Sequence, residues 1–258
     1  MIECLKKFGE RRFLFSELVK RDFKKKYKRT YLGMLWSLFS PLLSLLIMSL
    51  VFTGFFGRAQ PHYSIYIFCG NIVFSYFSDS TVGGMGSLLN NAELFSKINI
   101  PKYLFLFSRN LSSFINFGLT FIVFLFFCII DGIKFGWVFF SLVIPIFSMI
   151  IFNVGVGLIL SALFVFFRDV QYLWGVFTTL LMYMSAIFYT VDGFSSEVQK
   201  LFYFNPVYVY IKYFRLVVID GRFPRTAINL LSIGYAALAF AIGTLVYKKY
   251  NHKFIYYV

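Results

Sequence analysis

Residues 20–50, KRDFKKKYKRTYLGMLWSLFSPLLSLLIMSL, set a dense run of cations directly before an apolar segment that stays almost free of charge until Arg58. About 20 apolar residues, each rising 1.5 Å, cross a hydrocarbon core of about 30 Å, so this segment is long enough to span a bilayer. Lys and Arg beside a first span hold that end in the cytoplasm. One stretch thus sets the solvent, the direction and the starting side. Composition agrees: 59% of the residues are hydrophobic and only 14% are charged, where a soluble domain carries about 25%. The formal net charge of +14 points to anionic lipid headgroups rather than nucleic acid, because a nucleic-acid binder needs a water-facing basic surface. Cys4, Cys69 and Cys128 are too scattered for a metal site or a disulfide framework. A cleaved signal peptide is not expected, since the apolar run is too long for one and lacks a small-residue cleavage site.

Along residues 8–30, Phe8, Phe15, Val19, Phe23 and Tyr27 recur at helical spacing, while Lys20, Lys24 and Lys28 occupy another face. A basic amphipathic helix of this kind lies in the headgroup plane. Spans are expected at about 31–56, 63–82, 111–130, 135–167, 172–191 and 227–247. Trp36 marks the inner end of the first, and Pro41 kinks it one turn in. Residues 83–108 read as a long cytoplasmic connection, with Asn91 as a helix cap, a short helix over 92–97 and Pro101 as its stop. In the fourth span Gly155 and Gly157 are read as close-packing residues. In the external segment 192–226, Ser196 with Gln199 suggests a capping box, and Asn205-Pro206 a second helix ending at Asp220-Gly221. Lys212 and Arg215 interrupt that helix too strongly for a span, so it is expected as part of an interfacial or re-entrant pair. With this layout 18 of the 25 Lys and Arg fall on the inner side, which favours six spans with both termini cytoplasmic. The fold class is all-α integral membrane: residues 1–30 interfacial, 31–250 the transmembrane domain, 251–258 a cytoplasmic tail.

Chemistry is argued largely by absence. The sequence holds no GxxxxGK[ST] phosphate loop, no metal-ligand spacing and no nucleophile elbow, so ATP hydrolysis by that route and the common hydrolytic chemistries are not expected of this chain. His62 is read as interfacial, lacking an evident catalytic partner. Asp79 and Asp131 fall near span ends, which disfavours an ion-driven carrier. What the spans offer is aromatic rings, among them Phe39, Phe52, Trp174, Phe177 and Tyr183. Most serve packing; a minority would suit the apolar faces of sugars, with tyrosine tips supplying hydrogen bonds.

The order Arg21-Asp22, Arg29-Thr30-Tyr31-Leu32-Gly33-Met34-Leu35-Trp36, Pro41, then Asn91, Leu94-Phe95, Lys97, Pro101, then Phe167-Arg168-Asp169 and Asn205-Pro206 resembles ABC-2-type permeases that export bacterial surface polysaccharides such as O-antigen, capsule and teichoic acid. The likeness runs through nearly the whole chain; Leu106 departs from it, where the family often has a second proline. It implies a transport subunit of the cytoplasmic (inner) membrane that binds no cofactor, pairs with a second copy of itself and works with two copies of an ABC ATPase carrying ATP and Mg. The cargo it implies is a polyprenyl-pyrophosphate-linked glycan. It further implies ATPase contacts at Arg21, Asp22, Asn91, Glu93, Leu94, Phe95 and Lys97. A substrate path would include Lys28, Arg29, Trp36, Phe39, Phe52, Trp174, Phe177 and Tyr183, and an external gate Asn205, Pro206, Tyr210 and Tyr213. The alternatives are an ABC-2 exporter of a drug, lipid or peptide, a membrane-embedded lipid-modifying enzyme, and a structural scaffold.

Overall fold

The computed structural model describes residues 12–27, 32–56, 62–97 and 100–257, and all regular structure among them is helical. In chain order the helices are α1 (Arg12–Tyr27), α2 (Trp36–Phe56), α3 (Tyr63–Met85), α4 (Ala92–Lys97), α5 (Tyr103–Ile130), α6 (Val143–Phe166), α7 (Val170–Met184), α8 (Ser196–Phe202), α9 (Pro206–Val218) and α10 (Thr226–Tyr250). Three stretches among the described residues are long and apolar enough to cross a membrane: Tyr103–Ile130, Trp137–Phe166 and Thr226–Tyr250.

Helix α6 is the centre, and two glycines two residues apart explain why. They point in opposite directions around the helix. A Cβ on Gly155 would collide with the backbone of Ala239 and Phe240 in α10, and one on Gly243 of α10 would collide with the Gly155 carbonyl. Gly157 faces the other way, toward Gly84 of α3, whose own Cβ would lie 3.3 Å from the Gly157 Cα. Small residues here let backbones touch, the packing mode available in lipid, where apolar side chains gain nothing by leaving the solvent. Pro145 sits in the first turn of α6 after the 3-10 turn Trp137–Leu142, where its missing N–H breaks no helical bond.

Three boundaries differ from those expected. Helix α5 begins at Tyr103, so residues 103–108 belong to the helix and not to the connection. The polar run Ser108-Arg109-Asn110 is satisfied inside the bundle: Ser108 Oγ donates to Asp22 Oδ2 at 3.1 Å, Arg109 Nη2 to Asp79 Oδ1 at 3.1 Å, and Ser80 Oγ to Asn110 Oδ1. Pro101 therefore precedes a long helix rather than only stopping a short one. Helix α7 has 15 residues, about 22 Å at 1.5 Å each, shorter than the roughly 30 Å hydrocarbon core. It ends at Met184, and Ser185, Ala186 and Ile187 turn back into the protein as buried residues, with Ala186 at φ 50°. Finally, Ser195 rather than Ser196 is the N-cap of α8, without a side-chain capping bond, and Gln199 Nε2 donates to the carbonyl of Phe194 at 3.0 Å.

Helix α9 is among the most deeply buried elements. Val209, Ile211, Tyr213, Phe214 and Val217 are inaccessible, and the helix packs on α3, α6, α10 and the 137–142 turn. It terminates as the Asp220-Gly221 pair predicts: Gly221 takes φ 59°, and the Arg222 N–H closes back on the Leu216 carbonyl at 3.0 Å.

Candidate functional site

Three groups of residues were expected to carry function, and the fold places each. The first gathers at the end of the bundle where α5 begins. Helix α1 lays Leu18 and Val19 against the protein, and Leu18 shares a cluster with Ile100, Leu104, Phe105 and the half-buried Leu94 of α4. Its apolar face is therefore covered by the 92–105 region, while Lys20 and Lys24 stay exposed. Polar bonds fix the register. Arg21 Nη2 donates to Asn91 Oδ1 at 2.7 Å and to Asp22 Oδ1 at 2.8 Å, and Asn91 Nδ2 donates to the Ser87 carbonyl at 2.8 Å. Glu93 is exposed beside them. Asn91 is the last residue of the 3-10 turn Leu89–Asn91, and the oxygen expected to cap α4 is the one that accepts from Arg21. The chain's C-terminal turn joins the same face: Phe254 is fully buried, and Lys102 reaches over its ring and donates to the Asn251 carbonyl at 2.8 Å. Burial holds the Lys102 ammonium below the usual lysine pKa. Lys28 and Arg29 lie outside the described residues, as do the side chains of Phe52, Phe95 and Lys97.

The second group, the aromatics expected along a path, is divided between α2 and α7, both of which pack on α3. Trp36 and Phe39 on α2, and Phe177 and Tyr183 on α7, present exposed rings. Trp174 is different: it is half-buried, donates from Nε1 to Thr81 Oγ1 at 3.3 Å and stacks obliquely on Phe77 and Phe177. It braces α7 on α3.

The third group holds α9 in place. Asn205 Oδ1 accepts from the N–H of Val207 at 3.0 Å and of Tyr208 at 3.4 Å, while its Nδ2 donates to Ser185 Oγ at 2.9 Å and to the Met184 carbonyl at 3.2 Å. One side chain thus caps α9 and ties it to the end of α7, with Pro206 at the first helical position. Tyr210 donates to the Ser232 carbonyl and Tyr213 to the Ser141 carbonyl, both from buried positions. These two rings anchor the helix inside the bundle. Asn205→Ala removes the cap and leaves Ser185 and Met184 without a donor, an expected loss of about 1–2 kcal/mol. A fall in melting temperature of the detergent-purified protein checks it, and Asn205→Asp, which keeps the cap but loses the donor, falls between.

Sequence reasoning missed the polar contacts of Arg215, Lys212 and His62. Arg215 is buried, yet among the described residues no carboxylate meets it. Its guanidinium lies 3.4 Å from the Tyr66 ring centroid, donates from Nε and Nη2 to the Tyr66 carbonyl at 3.3 and 3.2 Å, and from Nη2 to the Ile187 carbonyl at 3.1 Å. Lys212 sits over the rings of Tyr203 and Tyr208. Rings and carbonyls thus meet both cations that seemed to bar this helix from the bundle. His62 does have a partner: its Nδ1 meets Asp131 Oδ2, joining the start of α3 to the end of α5. The two lie 69 positions apart, so no local signal pairs them. His252 lies exposed beyond the end of α10. Among the described residues no three His, Cys, Asp or Glu side chains gather to hold a metal. Cys69 and Cys128 are free and buried.

The chain is 26% identical over 247 residues to an O-antigen export system permease protein RfbA of Klebsiella pneumoniae, covering 94% of this chain and 95% of that one. It is 25% identical over 232 residues to the protein of the same description from Myxococcus xanthus, covering 87% of each. Residues 14–219 match the ABC-2 type transporter family. That match runs from α1 through the end of α9 and covers most of the chain, and the chain belongs to the ABC-2 type transporter membrane family.

Proposed function

We propose that this chain is the membrane-spanning subunit of an ATP-driven exporter that carries a lipid-linked surface polysaccharide across the cytoplasmic membrane. The observation that carries the reading is the near full-length similarity to O-antigen export permeases. In this reading α2, α3, α5, α6, α7 with the buried turn after it, and α10 are the six crossings, and both termini face the cytoplasm. The surface built by α1, the 87–102 connection and the C-terminal turn then meets two ABC ATPase subunits, which supply ATP and Mg chemistry. The exposed aromatic faces of α2 and α7 face a second copy of the chain across the glycan path. The α8–α9 pair stands at the outer end, where Asn205 couples it to α7.

Deleting the gene tests the reading through the location of the polymer. The expected result is loss of surface glycan with lipid-linked glycan retained inside the cell, read by surface staining and by extraction of whole-cell polymer. Unchanged surface glycan would overturn the proposal and leave a smaller drug, lipid or peptide as the cargo of the same scaffold.

A further inference from the structure

A groove of about 530 Å³ runs between α2, α3 and α5, a size within the range of about 300–1,000 Å³ typical of ligand sites. Its walls are unusual for the interior of an apolar bundle. Ser40 and Ser44 of α2 line it, four residues apart; Asn71, Ser75 and Asp79 of α3 continue the same spacing. From α5 come Ser113, Asn116 and Thr120, spaced three and four. These are single faces of three helices, so polar stripes that would each be costly against lipid turn toward one shared space. Between them stand the rings of Trp36, Tyr76 and Phe117.

The floor and the rim differ. Ser40, Ser44 and Ser75 are exposed, while Ser113 is only 1% accessible and its hydroxyl has no hydrogen-bond partner among the described residues. Helical hydroxyls normally fold back onto a carbonyl one turn earlier, as Thr120 does on Asn116 at 3.0 Å. A buried hydroxyl without such a bond is costly unless something in the groove meets it. Among the described residues the lining holds no Lys or Arg, and its one carboxylate, Asp79, is engaged by Arg109 at 3.1 Å. That chemistry offers a pyrophosphate no cation of its own and a free cation little net charge. It suits a neutral polyol, whose hydroxyls both donate and accept as Ser, Thr and Asn do, and whose ring faces lie on aromatic side chains.

We propose that this groove, inside one protomer and sharing Trp36 with the exposed aromatic face of α2, binds a sugar unit of the transported glycan. The inference rests on the exporter reading above and adds a second contact for the cargo. Full-length chains carrying Cys4→Ala, Cys69→Ala and Cys128→Ala, each with one further change of Ser44→Cys, Ser75→Cys or Thr120→Cys, are exposed in permeabilised cells, so that both membrane faces are reached, to a water-soluble trimethylammonium methanethiosulfonate. Labelling is compared between cells that make the lipid-linked glycan and cells in which its assembly is blocked. The groove cysteines are expected to react when glycan is absent and to slow by about tenfold when it is present, as occupancy by mass action requires. Ile122→Cys, on an exposed apolar face of α5, is expected to stay unreactive in both. Equal labelling in both cell types would show a groove filled by water alone, and no labelling in either would show a closed one; each overturns the proposal. Surface glycan measured on the same cells separates the two readings: export with unprotected cysteines removes the groove site only, whereas surface glycan that survives gene deletion removes the exporter reading itself.

Discussion

Gly155→Leu is expected to abolish accumulation of the folded protein in the membrane. The reason is geometric. Where α6 meets α10, the space a side chain would need at Gly155 is occupied by the main chain of Ala239 and Phe240, and one turn on along α10 the Gly155 carbonyl leaves no room for a Cβ at Gly243. A flexible side chain can swing away from an intruding methyl; a helical backbone cannot without parting the two helices along their length. Over-packing of ordinary cores costs about 1–3 kcal/mol, and this site sits at or above the upper end because backbone is met on contact. Of the helix pairs described, α6 with α10 is the most extensive, so separating them removes the largest single packing interface of the bundle. Gly234→Leu on α10 is the control, since nothing lies within 4 Å of its Cβ position. Immunoblots of membranes and size-exclusion profiles in detergent compare the two. A monodisperse Gly155→Leu protein at parental yield would show that α6 and α10 do not touch as described.

That glycine contact was open to sequence reasoning because small residues within an apolar run have few other uses. The same holds for Asn205-Pro206, where the capping chemistry is local. Interactions between distant residues were closed to it. Ser108, Arg109 and Asn110 look like a polar interruption until their partners are known, and Asp22, Asp79 and Ser80 lie 86, 30 and 30 positions away. The early start of α5 was therefore invisible. The end of α7 was misplaced for the opposite reason: the apolar, aromatic run continues past Met184 without a proline or glycine to break it, although the chain turns there. Arg215 carried a charge that argued for the surface, and only the carbonyls of Tyr66 and Ile187 make its burial tolerable. The polar stripes of the groove were present in the sequence as spacings of three and four. Each alone reads as helix packing, and only their convergence makes a site.

The second large effect is expected at Arg21 and Asn91. Arg21 of α1 and Asn91 before α4 are 70 residues apart in sequence, and the bond between their side chains adds a polar link to the apolar packing of Leu18 on Leu94 and Ile100. Asp22, whose side chain is 12% accessible, extends the link by accepting from Arg21 on one oxygen and from Ser108 of α5 on the other. If this surface receives the ATPase, a push on α1 or on α4 reaches the start of α5 only while these bonds hold the pieces as one body. Arg21 is well exposed, so its polar contacts contribute little to stability, about 0–1 kcal/mol. Arg21→Ala and Asn91→Ala should therefore fold and retain the ATPase. Each should nevertheless lower glycan export by about tenfold, the effect of a coupling free energy of 1–3 kcal/mol between sites. Because both changes break one bond, the double variant should export no less than either single variant, a non-additivity that independent surface lesions would not show. The measurements are surface glycan, co-purified ATPase and melting temperature for the four proteins of the cycle. Losses that multiply in the double variant would mean that Arg21 and Asn91 act separately, and full export in either single variant would mean that the two segments need not move together.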